Sequence, residues 1–203
     1  AGIHREKLLP TFHRETFERW FARRLKPRPA GVGRNGKVAF FATCLVNYHF
    51  PEIGRAAVEV LEHNGVEVVV PPQQCCGFPF FDVGLIEKAQ RQAAENVAAY
   101  RPLVEAGYDL VAPVPTCSLT WKREYELLLS PEQARPVAAR TFDLGEYLMR
   151  LHAEGKLSTA FSDNGGKIAY QIPCHLRDQN IGYKSRALMQ LVPGNRVSLI
   201  ERC

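Results

Sequence analysis

What the chain lacks narrows its nature first. No stretch of its 203 residues reaches the roughly 18 consecutive apolar residues that a membrane-spanning helix needs. The N-terminus is charged and carries no secretory signal pattern. The chain is therefore expected to be cytoplasmic, and disulfides are a poor default for its cysteines. A disordered composition is absent too, since 46% of the residues are apolar, enough to bury a core. No Ser/His/Asp or Cys/His arrangement specific to hydrolysis is present. A basic body is also missing. The net charge of +5 is concentrated in residues 1–37, where ten Lys/Arg stand against three Asp/Glu, leaving residues 38–203 slightly acidic. That distribution excludes nucleic-acid binding by the body. It suits an arm that touches a partner protein or, peripherally, the anionic cytoplasmic face of the inner membrane.

Three segments follow from composition and periodicity: residues 1–36, 37–160 and 161–203. In the first, Thr11 to Leu25 reads as a helix, because Phe17, Trp20, Phe21 and Leu25 fall on one apolar stripe. This stripe beside a strong positive charge is expected to dock the chain onto a partner or a membrane face. Lys26 to Gly36 is a Pro/Gly linker. It contains Gly31-Val32-Gly33-Arg34-Asn35-Gly36, which spells the dinucleotide motif but lacks the preceding strand and following helix, so it reads as a turn.

From Lys37 onward strands alternate with helices. Strands are expected at Lys37–Thr43, Val66–Pro71, Asp109–Val114, Lys167–Pro173 and Val197–Glu201. Helices are expected at Glu52–Asn64, Asp82–Ala106 with a break near Pro102, Leu119–Leu129, Leu144–His152 and Ser185–Leu191. Such alternation implies an α/β fold of βαβ units on parallel sheets with right-handed crossovers. The units repeat. KVAFFATC begins at Lys37 and KIAYQIPC at Lys167, and each carries Cys seven positions on. Ile53-Gly54 and Ile181-Gly182 follow, and each Ile precedes a further cysteine by 22 residues. The second copy stops at Cys203, and the chain is expected to be a fragment, or the ordered part, of a longer protein.

Six cysteines, Cys44, Cys75, Cys76, Cys117, Cys174 and Cys203, sit where these strands end. Ligand sites in open α/β sheets form at the carboxyl ends of strands. Three successive parallel strands would deliver four thiols to one sheet edge, with Cys174 and Cys203 forming a matching half-site. Buried structural cysteine is the alternative for any one of them. For the set, a metal or cluster site is the better reading. Neighbouring thiols such as Cys75-Cys76 can ligate two metal atoms of one cluster, which favours iron–sulfur over a four-cysteine zinc site. Gly77 lets the backbone pass close to inorganic sulfur. His49 and His175 lie beside the cysteine loops and read as ordinary hydrogen-bonded residues. Lys122 and Arg177 are candidates to offset thiolate charge.

The segments CLVNYHFPEIGRA, PPQQCCGFP and PTC, together with YQIPCHLRDQNIG and IERC, resemble the cysteine-rich CCG domains of iron–sulfur oxidoreductases, covering residues 37–203. PCHLRDQNIG and IERC are most similar to the branch containing the iron–sulfur subunit of anaerobic glycerol-3-phosphate dehydrogenase, with heterodisulfide reductase subunits as relatives. The family pattern ends in CxxC, whereas Thr120 stands three residues after Cys117 here. The resemblance implies tandem Rossmann-like CCG domains, the second truncated, and a [4Fe–4S] cluster, cubane or non-cubane, with zinc in some relatives. It implies electron transfer from a flavoprotein dehydrogenase subunit toward quinone or another carrier. Alternatives are a disulfide or quinone reductase acting at the cluster and a zinc-stabilised, non-redox interaction module.

Overall fold

A computed structural model describes residues 2, 4–24, 31–162 and 165–200. Cys203, the glutamate closing the last expected strand, Leu25 and residues 26–30 of the Pro/Gly linker lie outside the described residues. In chain order the elements are α1 (Phe17–Arg23), β1 (Gly36–Phe40), α2 (Cys44–Tyr48), α3 (Pro51–His63), β2 (Val66–Val69), α4 (Phe78–Asp82), α5 (Ile86–Glu105), β3 (Asp109–Ala112), α6 (Pro115–Leu119), a π-helical turn (Thr120–Glu124), α7 (Tyr125–Leu128), α8 (Pro131–Ala138), β4 (Thr141–Asp143), α9 (Leu144–Ala153), β5 (Lys167–Gln171), α10 (Cys174–Asp178), α11 (Lys184–Gln190) and β6 (Arg196–Ile200).

Four strands form one parallel sheet in the order β2-β1-β3-β4, and β5 and β6 form a second parallel pair. The expected α/β architecture with parallel sheets is present. Because β1 pairs with β2 on one side and β3 on the other, the chain leaves β1 in opposite directions. That topological switch point opens a crevice at the carboxyl ends of these strands, where α/β sheets bind ligands. The strands β1 and β3 are apolar on both faces, as a sheet covered by helices requires. One side packs Ala39, Phe41 and Leu110 against α5, the π turn and α7. The other packs Val38, Phe40 and Val111 against α1, α3 and α9.

Several boundaries depart from expectation. The strands end earlier, because Thr43 caps α2 by accepting a hydrogen bond from the Val46 amide, so the cysteine heads a helix rather than ending a strand. α5 runs unbroken through Pro102, which lies in its last turn, where the lost amide donor removes one bond near the helix end. The single helix expected at Leu119–Leu129 begins at Pro115 and carries the π turn. α8 and β4 lie where no element was expected. β4 is three residues long and owes its form to pairing with β3.

The aromatic stripe of α1 does not face outward. Phe17 is fully buried against Phe40 and Val46, with Trp20 and Phe21 packed beside it. Gly54 makes room for it: a Cβ there would stand 2.4 Å from the Phe17 ring. The expected docking helix thus covers its own domain. Its basic residues are partly engaged as well, with Arg24 paired to Glu62 at 2.7 Å. Among the described residues no helix is long and apolar enough to cross a membrane. The Gly31–Gly36 segment forms turns with positive φ at Gly31 and Gly33 and feeds β1 directly.

The repeat is structural over its first part. Cys174 opens α10 as Cys44 opens α2, and each follows the first strand of a parallel pair. The Ile-Gly match is not equivalent in space. Gly54 lies inside α3, while Gly182 sits in a loop at φ 75°.

A cysteine site at the switch point

The switch-point crevice collects four thiols. Cys44 comes from the first position of α2 after β1, Cys75 and Cys76 from the loop after β2, and Cys117 from α6 after β3. Cys44 is exposed, Cys75 is half-buried, and Cys76 and Cys117 are buried, so the site runs from solvent into the core. The thiols act on one another in series: Cys44 with Cys75, Cys75 with Cys76, and Cys76 with Cys117. Among the described residues no three His, Cys, Asp or Glu side chains are gathered as ligands of one ion.

The electrostatics of this string are uneven. Hydrogen bonds from Cys44 and then Cys76, helped by the Gly77 and Cys76 amides, hold the Cys75 thiol far below the usual range. Cys44 is pushed up, first by its bond to Cys75 and then by burial. Cys76 is pushed up by its bonds to Cys117 and Cys75 and by burial. Close-set thiols resist ionising together, since each anion raises the cost of the next. Soft donors in such an array suit a group that spreads positive charge over several metal atoms.

The loop is held by residues that the cysteine pattern did not reveal. Asn96, fully buried on α5, accepts from the Gln74 amide at 2.8 Å and donates to the Cys75 carbonyl at 3.0 Å and to the Tyr125 hydroxyl at 3.1 Å. Tyr125 donates to the Cys76 carbonyl at 3.0 Å. Burial raises the Tyr125 hydroxyl well above its ordinary value, so it stays a neutral donor. Tyr100 donates to Gln73 Oε1 at 2.7 Å. The available signal was a polar residue on the otherwise apolar stripe Ala89, Ala93, Val97 and Tyr100. Gly77 stands at φ 85° as the cap of α4, the left-handed turn that directs the chain away from the thiols. Thr120 is buried, and its hydroxyl donates to the Thr116 carbonyl at 2.8 Å. The π turn beginning at Thr120 then seats Trp121 against Phe41, Tyr100 and Tyr125.

Two flanking features shape access. A polar cavity of about 200 Å³, lined by Cys44, Cys75, Glu18, Gln73 and Gln92, opens onto the outer thiols. On the inner side α10 packs against α6. His175 Nδ1 lies 2.7 Å from the Thr116 hydroxyl, and its ring meets Phe78 edge-on. Gln179 donates to the Pro115 carbonyl at 3.1 Å and the Ser118 hydroxyl at 2.9 Å and accepts from Lys122 at 3.0 Å. Lys122 also pairs with Glu146 at 2.5 Å, so its charge is matched there rather than by thiolates. His49 faces the N-terminal arm, with Nδ1 2.9 Å from the Thr11 carbonyl. Cys174 is not brought to the four thiols. It is exposed and borders a separate cavity of about 380 Å³ with Arg177, Asp178 and Asn180.

Comparison with known proteins agrees with this placement: the cysteine-rich CCG domain family matches residues 38–122, the segment that carries the four thiols. The chain carries a CCG cysteine-rich domain. It is 28% identical over 201 residues to a subunit of the anaerobic glycerol-3-phosphate dehydrogenase of Escherichia coli K12, covering 98% of this chain and 50% of that protein. It is 32% identical over 146 residues to the lactate utilization protein A of Halalkalibacterium halodurans, covering 69% of this chain and 57% of the relative. An uncharacterized iron–sulfur protein of Methanocaldococcus jannaschii is 31% identical over 160 residues, covering 77% of this chain and 29% of that protein. The chain thus spans about half the length of the first two relatives and less of the third. No solved structure matches it. Outside the CCG domain, the similarity to the Escherichia coli relative extends through β5, α10 and β6.

Proposed function

We propose that the chain is an iron–sulfur electron-transfer module of a dehydrogenase complex, with Cys44, Cys75, Cys76 and Cys117 holding a [4Fe–4S] cluster. The observation that carries this reading is the convergence of four thiols from three successive parallel strands at the switch point. The donor set fits the group: all four donors are soft, and two are adjacent in sequence, so that they can reach different metal atoms of one cluster. A tetrahedral zinc site needs all four around one ion. When bound, the cluster supplies one-electron redox chemistry. The protein's own residues bury Cys76 and Cys117, orient the loop through Asn96 and Tyr125, and leave Cys44 toward solvent. Burial and hydrogen bonding of this kind set the potential of such a centre.

One relative is named as a subunit of an anaerobic dehydrogenase, which supports a role within a complex. On this reading electrons arrive from a flavoprotein partner and leave toward quinone or another carrier at the cytoplasmic side of the membrane. The exposed edge at Cys44, rimmed by Leu45 and Tyr48, is the side open to a partner. Cys174 and Cys203 form part of a second site. A second reading, reduction of a small substrate at the cluster, is favoured by the polar cavity beside Cys44 and Cys75. An exposed cleft beside Cys76 would favour it further, but Cys76 itself is buried, at 3% exposure.

The test is metal analysis of anaerobically purified protein. Iron and acid-labile sulfide in equal amounts are expected, and Cys76→Ser or Cys117→Ser should lower both at least severalfold. Stoichiometric zinc without sulfide would overturn the reading.

A further inference from the structure

Among the described residues, the carboxamides around the cysteine loop that are at least half-buried are hydrogen-bonded with one exception. Gln73 donates to Glu18 and to the Ala42 carbonyl and accepts from Tyr100. Asn96 uses both ends of its amide. Gln92, one turn earlier on α5, has its Oε1 buried with no partner among the described residues. This oxygen lies against the CCG loop: a Cβ added at Gly77 would stand 3.5 Å from it. Gln92 also lines the cavity onto which Cys44 and Cys75 open.

Leaving a buried polar group unpaired forfeits the hydration it had in the unfolded chain, so this amide is placed for a partner. The chemistry of the cavity identifies that partner. Thiolate and sulfide sulfurs accept hydrogen bonds and cannot donate them, so a carbonyl oxygen facing them stays unsatisfied. A half turn about the terminal torsion exchanges oxygen for NH2 with almost no change of shape. The glycine at 77 leaves no side chain between this amide and the loop.

We propose that Gln92 donates an amide N–H to a sulfur of the group held by Cys44, Cys75, Cys76 and Cys117, and thereby raises its reduction potential. The inference rests on the iron–sulfur reading above. Reduction adds one negative charge to the centre, so an N–H donor stabilises the reduced form more than the oxidised form. Removing the donor lowers the potential without removing a ligand.

The experiment uses the full chain, purified anaerobically, with iron and sulfide measured before any titration. Wild type, Gln92→Leu, Gln92→Met and Gln90→Leu are then reduced stepwise with dithionite and mediators under EPR detection. Gln90 is exposed on the same helix and serves as the control. Both Gln92 variants are expected to keep wild-type iron and sulfide. Their reduced form should be destabilised about tenfold, a fall of about 59 mV for a one-electron couple. Gln90→Leu should leave the potential in place. ENDOR in H2O and D2O should show one strongly coupled exchangeable proton in wild type that the Gln92 variants lack. Full clusters with unchanged potential in both Gln92 variants would overturn this inference alone. Loss of iron from both, in folded protein, would overturn it too, because a tuning donor is not needed to hold the centre. Wild type lacking iron and sulfide would overturn the functional reading first, and this inference with it.

Discussion

Asn96 shows how much of the cysteine loop's shape depends on one buried carboxamide. Its amide spans the loop backbone on either side of Cys75 and reaches Tyr125, which holds the next carbonyl. Replacing it by leucine leaves the Gln74 amide and the Cys75 carbonyl without these partners. Each buried, unsatisfied group costs about 1–3 kcal/mol. Asn96→Leu is therefore expected to destabilise the protein by about 2–5 kcal/mol in urea unfolding and to loosen the CCG loop, read as faster alkylation of Cys76. Wild-type alkylation in the folded variant would show that the loop holds its shape without Asn96. The cysteines themselves were legible in the sequence, since thiols at successive strand ends form a pattern. Asn96 and Gln92 were not, because a lone carboxamide in a helix acquires meaning only when the loop it faces is known.

At the scale of elements, α1 and α9 make the clearest predictions. Phe17 fills the space left by Gly54 and joins α1 to the face formed by Phe40 and Val46. Phe17→Ala is expected to cost about 3–5 kcal/mol, the usual loss for a buried phenylalanine. A loss under about 1 kcal/mol in thermal unfolding, far below that range, would return the helix to a docking role. Sequence periodicity found the apolar stripe of this helix but could not say which surface it covers. α9 begins at Asp143, whose carboxylate accepts from the Gly145 amide at 2.9 Å. Burial, its largest influence, raises the Asp143 carboxyl from 3.8 to about 6, against the opposing pull of the Gly145 amide and Lys122. Its folded form therefore holds the proton more tightly than its unfolded form. The stability from this group is present below about pH 3.8 and is lost as pH rises through about 6. Asp143→Asn, which keeps a good cap, is expected to remove this downward contribution between those values, measured as a flatter dependence of the denaturation midpoint on pH. An unchanged slope would assign the dependence to other groups.

Across the whole molecule, the second βαβ unit is joined to the first at the cysteine site. Gln179 connects α10 to α6 through Pro115 and Ser118 and takes up Lys122 beside its partner Glu146, while His175 reaches Thr116, next to Cys117. Gln179→Leu removes three such bonds, each worth about 0.5–1.5 kcal/mol net. It is expected to lower the local opening free energy of α10 by about 2 kcal/mol. Hydrogen exchange should then quicken at α10 and α6, with β1 and β3 unchanged. Uniform acceleration across the sheet would mean that the two units unfold together.

The sequence by itself determined the alternation of strands and helices, the parallel sheets and the positions at which cysteines leave the strands. These follow from local pattern: runs of strand length, helical periodicity and the repeat of KVAFFATC in KIAYQIPC. Tertiary structure decided the rest. Pairing β1 with both β2 and β3 turned separate cysteines into one site, because only strand order brings three strand ends around one crevice. Packing determined that Cys76 is buried while Cys44 is open, that the aromatic face of α1 belongs to the core, and that Lys122 answers Glu146. It also left the Gln92 oxygen without a partner among the described residues, next to Gly77 of the cysteine loop. Those outcomes depend on contacts between residues far apart in the chain, and no local pattern encodes them.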